Sequence, residues 1–287
     1  METNKVELQK VREFGDVFNA TFAFIKQEIK PLGISLLVFV LPVILLLSTV
    51  MVVFTSMSFG TFSRPDLVGT STFFIKFAQL YLVIIVLAIL LQTMIMVTVY
   101  SYLSLYLKDK ENTGIPEMFA EIRTNFFPVL GASILGGLVI IVGLVFCVLP
   151  GIYLAVCLSM FITALVIEKK GIGNAFSRSF ELSHKQWGWT FLIIFVSFIL
   201  MYVISFVLSI PGLIIGFASV FSNFQNPVNP YEKYGIVYIV YSSIVSSITY
   251  LLCIIPALLI AFQYFNIVES MEKHSLIKEI NEIGKEE

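Results

Sequence analysis

The chain has 287 residues, 58% of them hydrophobic and 13% charged, with a mean hydropathy of +0.94. A soluble domain carries about 25% charged residues, so this composition excludes a soluble globular protein and points to an all-α integral membrane protein. A formal net charge of -1 gives no basic surface for nucleic acid, and no nucleic-acid partner is expected.

In chain order, the first element is an interfacial helix over 12–30. Phe14, Phe18, Phe22, Ile25 and Ile29 share one helical face, and Asp16, Asn19, Lys26 and Lys30 share another. Such a helix lies in the headgroup plane with its apolar face down. The charge in this segment and the length of the apolar stretch behind it do not fit a signal peptide. No charge occurs between Lys30 and Arg64 or between Lys76 and Lys108. A spanning helix needs about 20 apolar residues, so spans are expected at 32–54 and 77–107.

A second amphipathic helix is expected over 115–126, with Ile115, Phe119, Ile122 and Phe126 opposite Glu117, Glu121 and Asn125. The uncharged run from Arg123 to Glu168 has room for two spans, 127–149 and 150–167, with Pro150-Gly151 at the turn. A third amphipathic helix over 172–185 opposes Ile172, Phe176, Phe180 and Trp187 to Asn174, Arg178, Glu181 and Lys185. A fifth span at 187–210 ends before Pro211-Gly212. The apolar stretch Leu213–Ser222 is too short to cross and is expected at the outer interface or re-entering partway. After a polar loop, Asn223–Gly235, a sixth span occupies 236–265.

The expected whole is a single polytopic domain, 1–287, of six transmembrane helices and about three interfacial ones. It divides into three units of interfacial helix plus transmembrane pair. Phe18 to Pro31 and Phe176 to Trp189 are each thirteen residues apart, whereas Phe119 to Pro128 is nine, roughly one helical turn less.

Lys and Arg give an orientation. Fifteen of the 18 fall on one side: in the N-terminus, the second-to-third and fourth-to-fifth connections, and the tail after Val268. Arg64, Lys76 and Lys233 make up the other side. Positive charge stays cytoplasmic, so both termini are expected in the cytoplasm of a bacterial inner membrane.

The segments Pro150-Gly151-Ile152-Tyr153-Leu154, Leu165-Val166-Ile167-Glu168 and Ala175 to Ser183 resemble the membrane-domain family named after glycerophosphoryl diester phosphodiesterases, and related six-span bacterial proteins. Phe180 stands where that family usually has Trp. The resemblance implies a helical membrane domain. The family's named members carry a soluble phosphodiesterase barrel beyond it, whereas this sequence ends 19 residues past Val268, so no activity is carried over.

Chemistry at depth requires ionisable groups, and none lies inside the five uncharged runs. There is no HExxH, GxSxG or phosphate-loop motif, and no catalytic residue, metal site or cofactor is expected. The three cysteines, in apolar runs without a CxxC pair, read as small hydrophobes. Gln92, mid-span, and the serines Ser242 and Ser246 suit polar helix packing; a polar lining for a passage is the lesser alternative for the serine-rich segment. Glu168, Arg178, Glu181, His184 and Lys185 gather on one cytoplasmic connection, as a lipid-headgroup or partner contact or as a solvated helix face.

The function expected is that of a non-enzymatic inner-membrane protein. It engages membrane lipids, or a membrane-protein partner or second copy, through its interfacial helices. The alternative is a transporter or permease subunit for an apolar or amphiphilic solute. An enzyme would have to work from Glu168, Glu181 and His184.

Overall fold

A computed structural model describes residues 5–62, 71–108, 114–225 and 236–273. Arg64, Lys110, Lys233, His274, Lys278, Lys285 and most of the expected polar loop lie outside them. The described residues form ten helices and no strand: α1 (Phe14–Phe39), α2 (Leu41–Phe62), α3 (Ser71–Tyr106), α4 (Ile115–Phe146), α5 (Val148–Leu158), α6 (Phe161–Ile167), α7 (Ile172–Lys185), α8 (Trp187–Gln225), α9 (Ile236–Leu252) and α10 (Ile254–Glu272). Five stretches are long and apolar enough to cross a membrane: Phe73–Tyr106, Ile115–Phe146, Val148–Ile167, Trp187–Ala218 and Val240–Glu272. The α1–α2 pair, bent by 50°, makes a sixth if its two halves count as one span. The protein is an all-helical, multi-pass membrane protein.

Prolines account for where the helices break. Pro42 and Pro256 fall in the first turns of α2 and α10, and the breaks at Val40 and Cys253 lie just before them. Each proline lacks the N–H that would bond the preceding turn. At Val40 the amides of Val43 and Ile44 instead both donate to its carbonyl at 3.1 Å.

Pro31 and Pro128, by contrast, sit inside α1 and α4 without ending them. The interfacial helices expected at 12–30 and 115–126 are therefore not separate elements but the first turns of long helices. The third, α7, does stand alone, because Gln186 (φ -128, ψ 38) leaves the helical region before α8 begins. The segment Leu213–Ser222 is also different from expectation. It belongs to the continuous helix α8, which passes through Pro211. Nearby backbone groups are met from a neighbouring helix: the Tyr241 hydroxyl of α9 donates to the Leu208 carbonyl. Gly212 makes room for that ring, since a Cβ there would stand 2.9 Å from Tyr241 Cε1. Neighbouring side chains commonly re-satisfy a proline's surroundings in this way.

The chain divides into two compact units. Unit 2, residues 40–92 and 199–253, pairs α2 with α9 through Ser48 and Ser247, whose hydroxyls are 3.1 Å apart. Unit 1 comprises residues 1–39, 93–198 and 254–287. Its core is the C-terminal part of α3 and nearly all of α10, buried from Val97 to Leu105 and, apart from half-buried Ile260, from Pro256 to Glu269. Phe24 of α1 fills the angle between them, with ring centroids 5.1 Å from Tyr106 and 5.7 Å from Phe262.

Around this core, α4 and α5 form a hairpin turning at Cys147, closed by two glycines. A Cβ on Gly143 would stand 3.1 Å from Gly151 Cα. The helix α7 lies on α5 and α6 through Ala175, Ser179, Leu182 and Ser183, and the Ser179 hydroxyl donates to the Cys157 carbonyl at 2.7 Å.

Candidate functional site

The clustered residues of the α6–α7 connection sit in unit 1. Glu168 ends α6, its amide bonded to the Ala164 carbonyl at 3.0 Å. Lys169 then takes a left-handed backbone (φ 52), which turns the chain sharply toward Gly171 and α7. That turn aims two neighbouring side chains at different targets. Lys169 Nζ reaches Glu121 of α4 at 3.1 Å, where the Ser104 hydroxyl also donates at 3.1 Å. Glu168 meets Arg178 one helix later, with Arg178 Nε 2.9 Å from Glu168 Oε1.

Arg178 is the hub. Beyond Glu168 it pairs with Glu272 at the end of α10 and, at 3.4 Å, with Glu181. Glu168 Oε1 also accepts the Tyr264 hydroxyl at 2.7 Å, and Lys170 Nζ stands 2.6 Å from Glu168 Oε2. The Arg178 and Glu168 side chains are only 12% and 14% exposed, whereas Glu181 is 53% exposed. Burial works against the Arg178 charge, but Glu168 and Glu272 outweigh it and raise the guanidinium's hold on its proton. Burial likewise opposes the Glu168 charge, and Lys170, Tyr264 and Arg178 overcome it and hold the carboxyl below its usual range. A cavity of about 280 Å³ opens beside the cluster, bordered by Gln9, Phe265 and Val268 as well as the charged groups.

Of the five residues expected at this connection, the structure joins Glu168, Arg178 and Glu181. His184 turns elsewhere, its Nδ1 3.1 Å from the Tyr153 hydroxyl, and Lys185 is exposed outside the cluster. Sequence reasoning missed Tyr264, Glu272, Lys170 and Glu121. Tyr264 and Glu272 lie eight residues, or two turns, apart on one face of α10. That spacing was legible, but nothing local says which connection they meet. Gln92 lies exposed on α3, while the adjacent Thr93 is buried. Among the serines of α9, Ser242 is half-buried and Ser246 exposed, and Ser247 makes the bond to α2.

The apolar stripes of α1 and α4 are also redistributed. Val17, Thr21, Phe24 and Leu32 of α1 face the core, as do Met118, Ile122, Asn125 and Val129 of α4. Phe22, Ile29, Ile115, Phe119 and Phe127 stay exposed, from 43% to 74%. Each helix thus carries apolar side chains on its outer face within a few residues of Lys26, Lys30, Arg123 and Glu117.

Among the described residues no three His, Cys, Asp or Glu side chains converge as metal ligands. The charged groups neutralise one another across three helices, an arrangement that clamps the α6–α7 turn onto α10.

No curated protein and no solved structure matches the chain. Residues 114–266 match the family model described as a domain of unknown function (DUF7847), and this stretch holds α4 to α9, most of α10 and the Glu168–Arg178 clasp. Since the match takes in more than half of the 287 residues, this multi-pass membrane protein belongs to the DUF7847 family.

Proposed function

We propose that the protein is a non-enzymatic component of a bacterial inner membrane that engages lipid headgroups at its cytoplasmic face. One observation carries this reading: α1 and α4 keep large apolar side chains outside the fold beside charged ones. A soluble surface would not hold Phe22, Ile29, Phe119 and Phe127 there, and a helix with such an outer face suits the boundary between headgroups and acyl chains. The Lys and Arg asymmetry favours the cytoplasmic leaflet, whose anionic lipids attract basic segments. Resemblance to the phosphodiesterase-associated membrane domain fits a membrane-embedded role without adding an activity. A membrane-protein partner or a second copy could share the same surface.

The test is amide exchange of the protein in nanodiscs. Exchange at residues 14–30 and 115–127 is expected to slow when phosphatidylglycerol replaces part of a phosphatidylcholine bilayer. Equal exchange in both bilayers would overturn the reading.

A second reading, a permease subunit for an apolar or amphiphilic solute, draws on the interruptions at Val40 and Cys253, which divide two apolar stretches as transporter helices are often divided. Accumulation of an amphiphilic dye in proteoliposomes beyond that of empty vesicles would support it, and equal uptake would remove it.

A further inference from the structure

The fold holds two of its described arginines and leaves the third free. Arg12 donates to the carbonyls of Glu7, Leu8 and Lys10, and Arg178 pairs with Glu168, Glu181 and Glu272. Arg123 of α4 is exposed and has no hydrogen bond or ion pair among the described residues. The carboxylates of its own helix are engaged elsewhere. Glu117 accepts the Gly114 amide at 3.1 Å, and Glu121 takes Lys169 at 3.1 Å and Lys108 at 3.6 Å. A planar guanidinium without a carboxylate is suited to a phosphate, which it meets with two parallel N–H bonds.

The rest of the same helix face fits the other end of a lipid. Met118, Ile122, Asn125 and Val129 turn to the core. On the opposite side Phe127, Ile134, Leu138, Ile141 and Val145 follow Arg123 at helical spacing, exposed from 46% to 80%. Arg123 is the last charge before the uncharged run 124–167. From Arg123 to Val145 the helix rises about 33 Å, against about 30 Å of hydrocarbon in a bilayer. One turn before Arg123, Phe119 is held against Phe39 with ring centroids 6.4 Å apart, so an aromatic ring stands a turn away in each direction. A free phosphate would meet Arg123 but leave the apolar stripe uncovered. An apolar protein segment would cover the stripe and leave the guanidinium unpaired.

We propose that the outer face of α4 binds an anionic phospholipid, its phosphate on Arg123 and its acyl chains along the stripe from Phe127 to Val145. The inference rests on the lipid-engaging reading above and gives it an address. A headgroup without a cation of its own is favoured, because a choline beside the phosphate would be repelled by the guanidinium.

The test uses the full chain, released from nanodiscs of equal parts phosphatidylcholine and phosphatidylglycerol and weighed by native mass spectrometry. The wild type is expected to retain phosphatidylglycerol in preference to phosphatidylcholine. Arg123→Ala removes an exposed side chain that bonds nothing in the fold, so the protein should fold as before. It is expected to weaken phosphatidylglycerol retention about tenfold, the worth of one hydrogen bond to a charged group. Lys76→Ala, which removes an exposed cation from the opposite side of the expected spans, should leave retention unchanged. Equal retention by the wild type and Arg123→Ala, or an equal loss in Lys76→Ala, overturns the site. A wild-type dimer without lipid, dispersed by Arg123→Ala, would put a second copy on this face and also overturn it. If Arg123→Ala retains the lipid undiminished while amide exchange still slows with phosphatidylglycerol, the site falls and the lipid-engaging reading stands. If neither responds, both fall.

Discussion

Arg178 has three carboxylates within reach, and burial decides what each is worth. Exposed ion pairs contribute about 0.2–1 kcal/mol, and Glu181, 53% exposed, falls in that class. Glu168 is 14% exposed and shares the Tyr264 hydroxyl. Removing one partner of a buried pair costs roughly 3–5 kcal/mol, so Arg178→Ala is expected to cost about 2–4 kcal/mol in this slightly exposed setting. Thermal unfolding in detergent, followed by tryptophan fluorescence, should show a clear drop for Arg178→Ala and almost none for Glu181→Ala. Comparable drops would mean that the clasp is not centred on Glu168 and Glu272.

The same clasp sets a pH dependence. In the folded protein Lys170, Tyr264 and Arg178 hold the Glu168 carboxyl below the ordinary carboxylate value. It therefore contributes stability that is complete above the unfolded-state value and lost as pH falls through the folded one. Below about pH 4.5 the unfolding temperature should decline, and Glu168→Gln should flatten that decline while lowering stability at neutral pH. Parallel profiles for the two proteins would contradict this assignment.

Among the elements, the α4–α5 hairpin depends most on residue size. A Cβ on Gly151 would lie 2.4 Å from Leu144 Cδ2 and 2.8 Å from the Leu144 backbone nitrogen. The side chain could turn away, but the backbone cannot, so the two helices would have to part. Forced overpacking costs about 1–3 kcal/mol, and Gly151→Ala should lower the unfolding temperature accordingly. Gly137→Ala, on the same α4, meets nothing within 4 Å and should be neutral or slightly stabilising, since glycine is about 0.5–1 kcal/mol worse than alanine inside a helix. A pair of variants with equal stability would show that the hairpin is not closely packed. The prolines illustrate the same dependence on surroundings: Pro42 and Pro256 stand just after helix breaks, whereas Pro31, Pro128 and Pro211 lie within continuous helices.

At the scale of the whole molecule, the distribution of charge governs orientation. Fifteen of 18 Lys and Arg fall on one side of the expected spans, and moving such charge across a membrane is costly. A fluorescent protein fused after residue 287 should therefore fluoresce. Alkaline phosphatase inserted between residues 226 and 235 should be active. Activity of the phosphatase at the C-terminus would reverse the orientation, and with it the leaflet assigned to the α1, α4 and α7 surfaces.

The sequence by itself determined the membrane class, the helical content and the positions of nearly every apolar stretch, because mean hydropathy and the absence of charge act locally. It also brought Glu168, Arg178 and Glu181 together, since they lie within four helical turns. Tertiary structure alone decided that Tyr264 and Glu272 complete the clasp, and that Val17, Thr21 and Phe24 face inward while Phe22 and Ile29 face out. The α1 sequence offers two apolar stripes, and only the presence of Tyr102, Tyr106 and Phe262 on neighbouring helices selects between them. The same holds for Pro211, which ends a helix in isolation but lies within one here, beside the Tyr241 hydroxyl. Local pattern sets what a segment can bury; the partner that arrives from elsewhere in the chain sets which face it does bury.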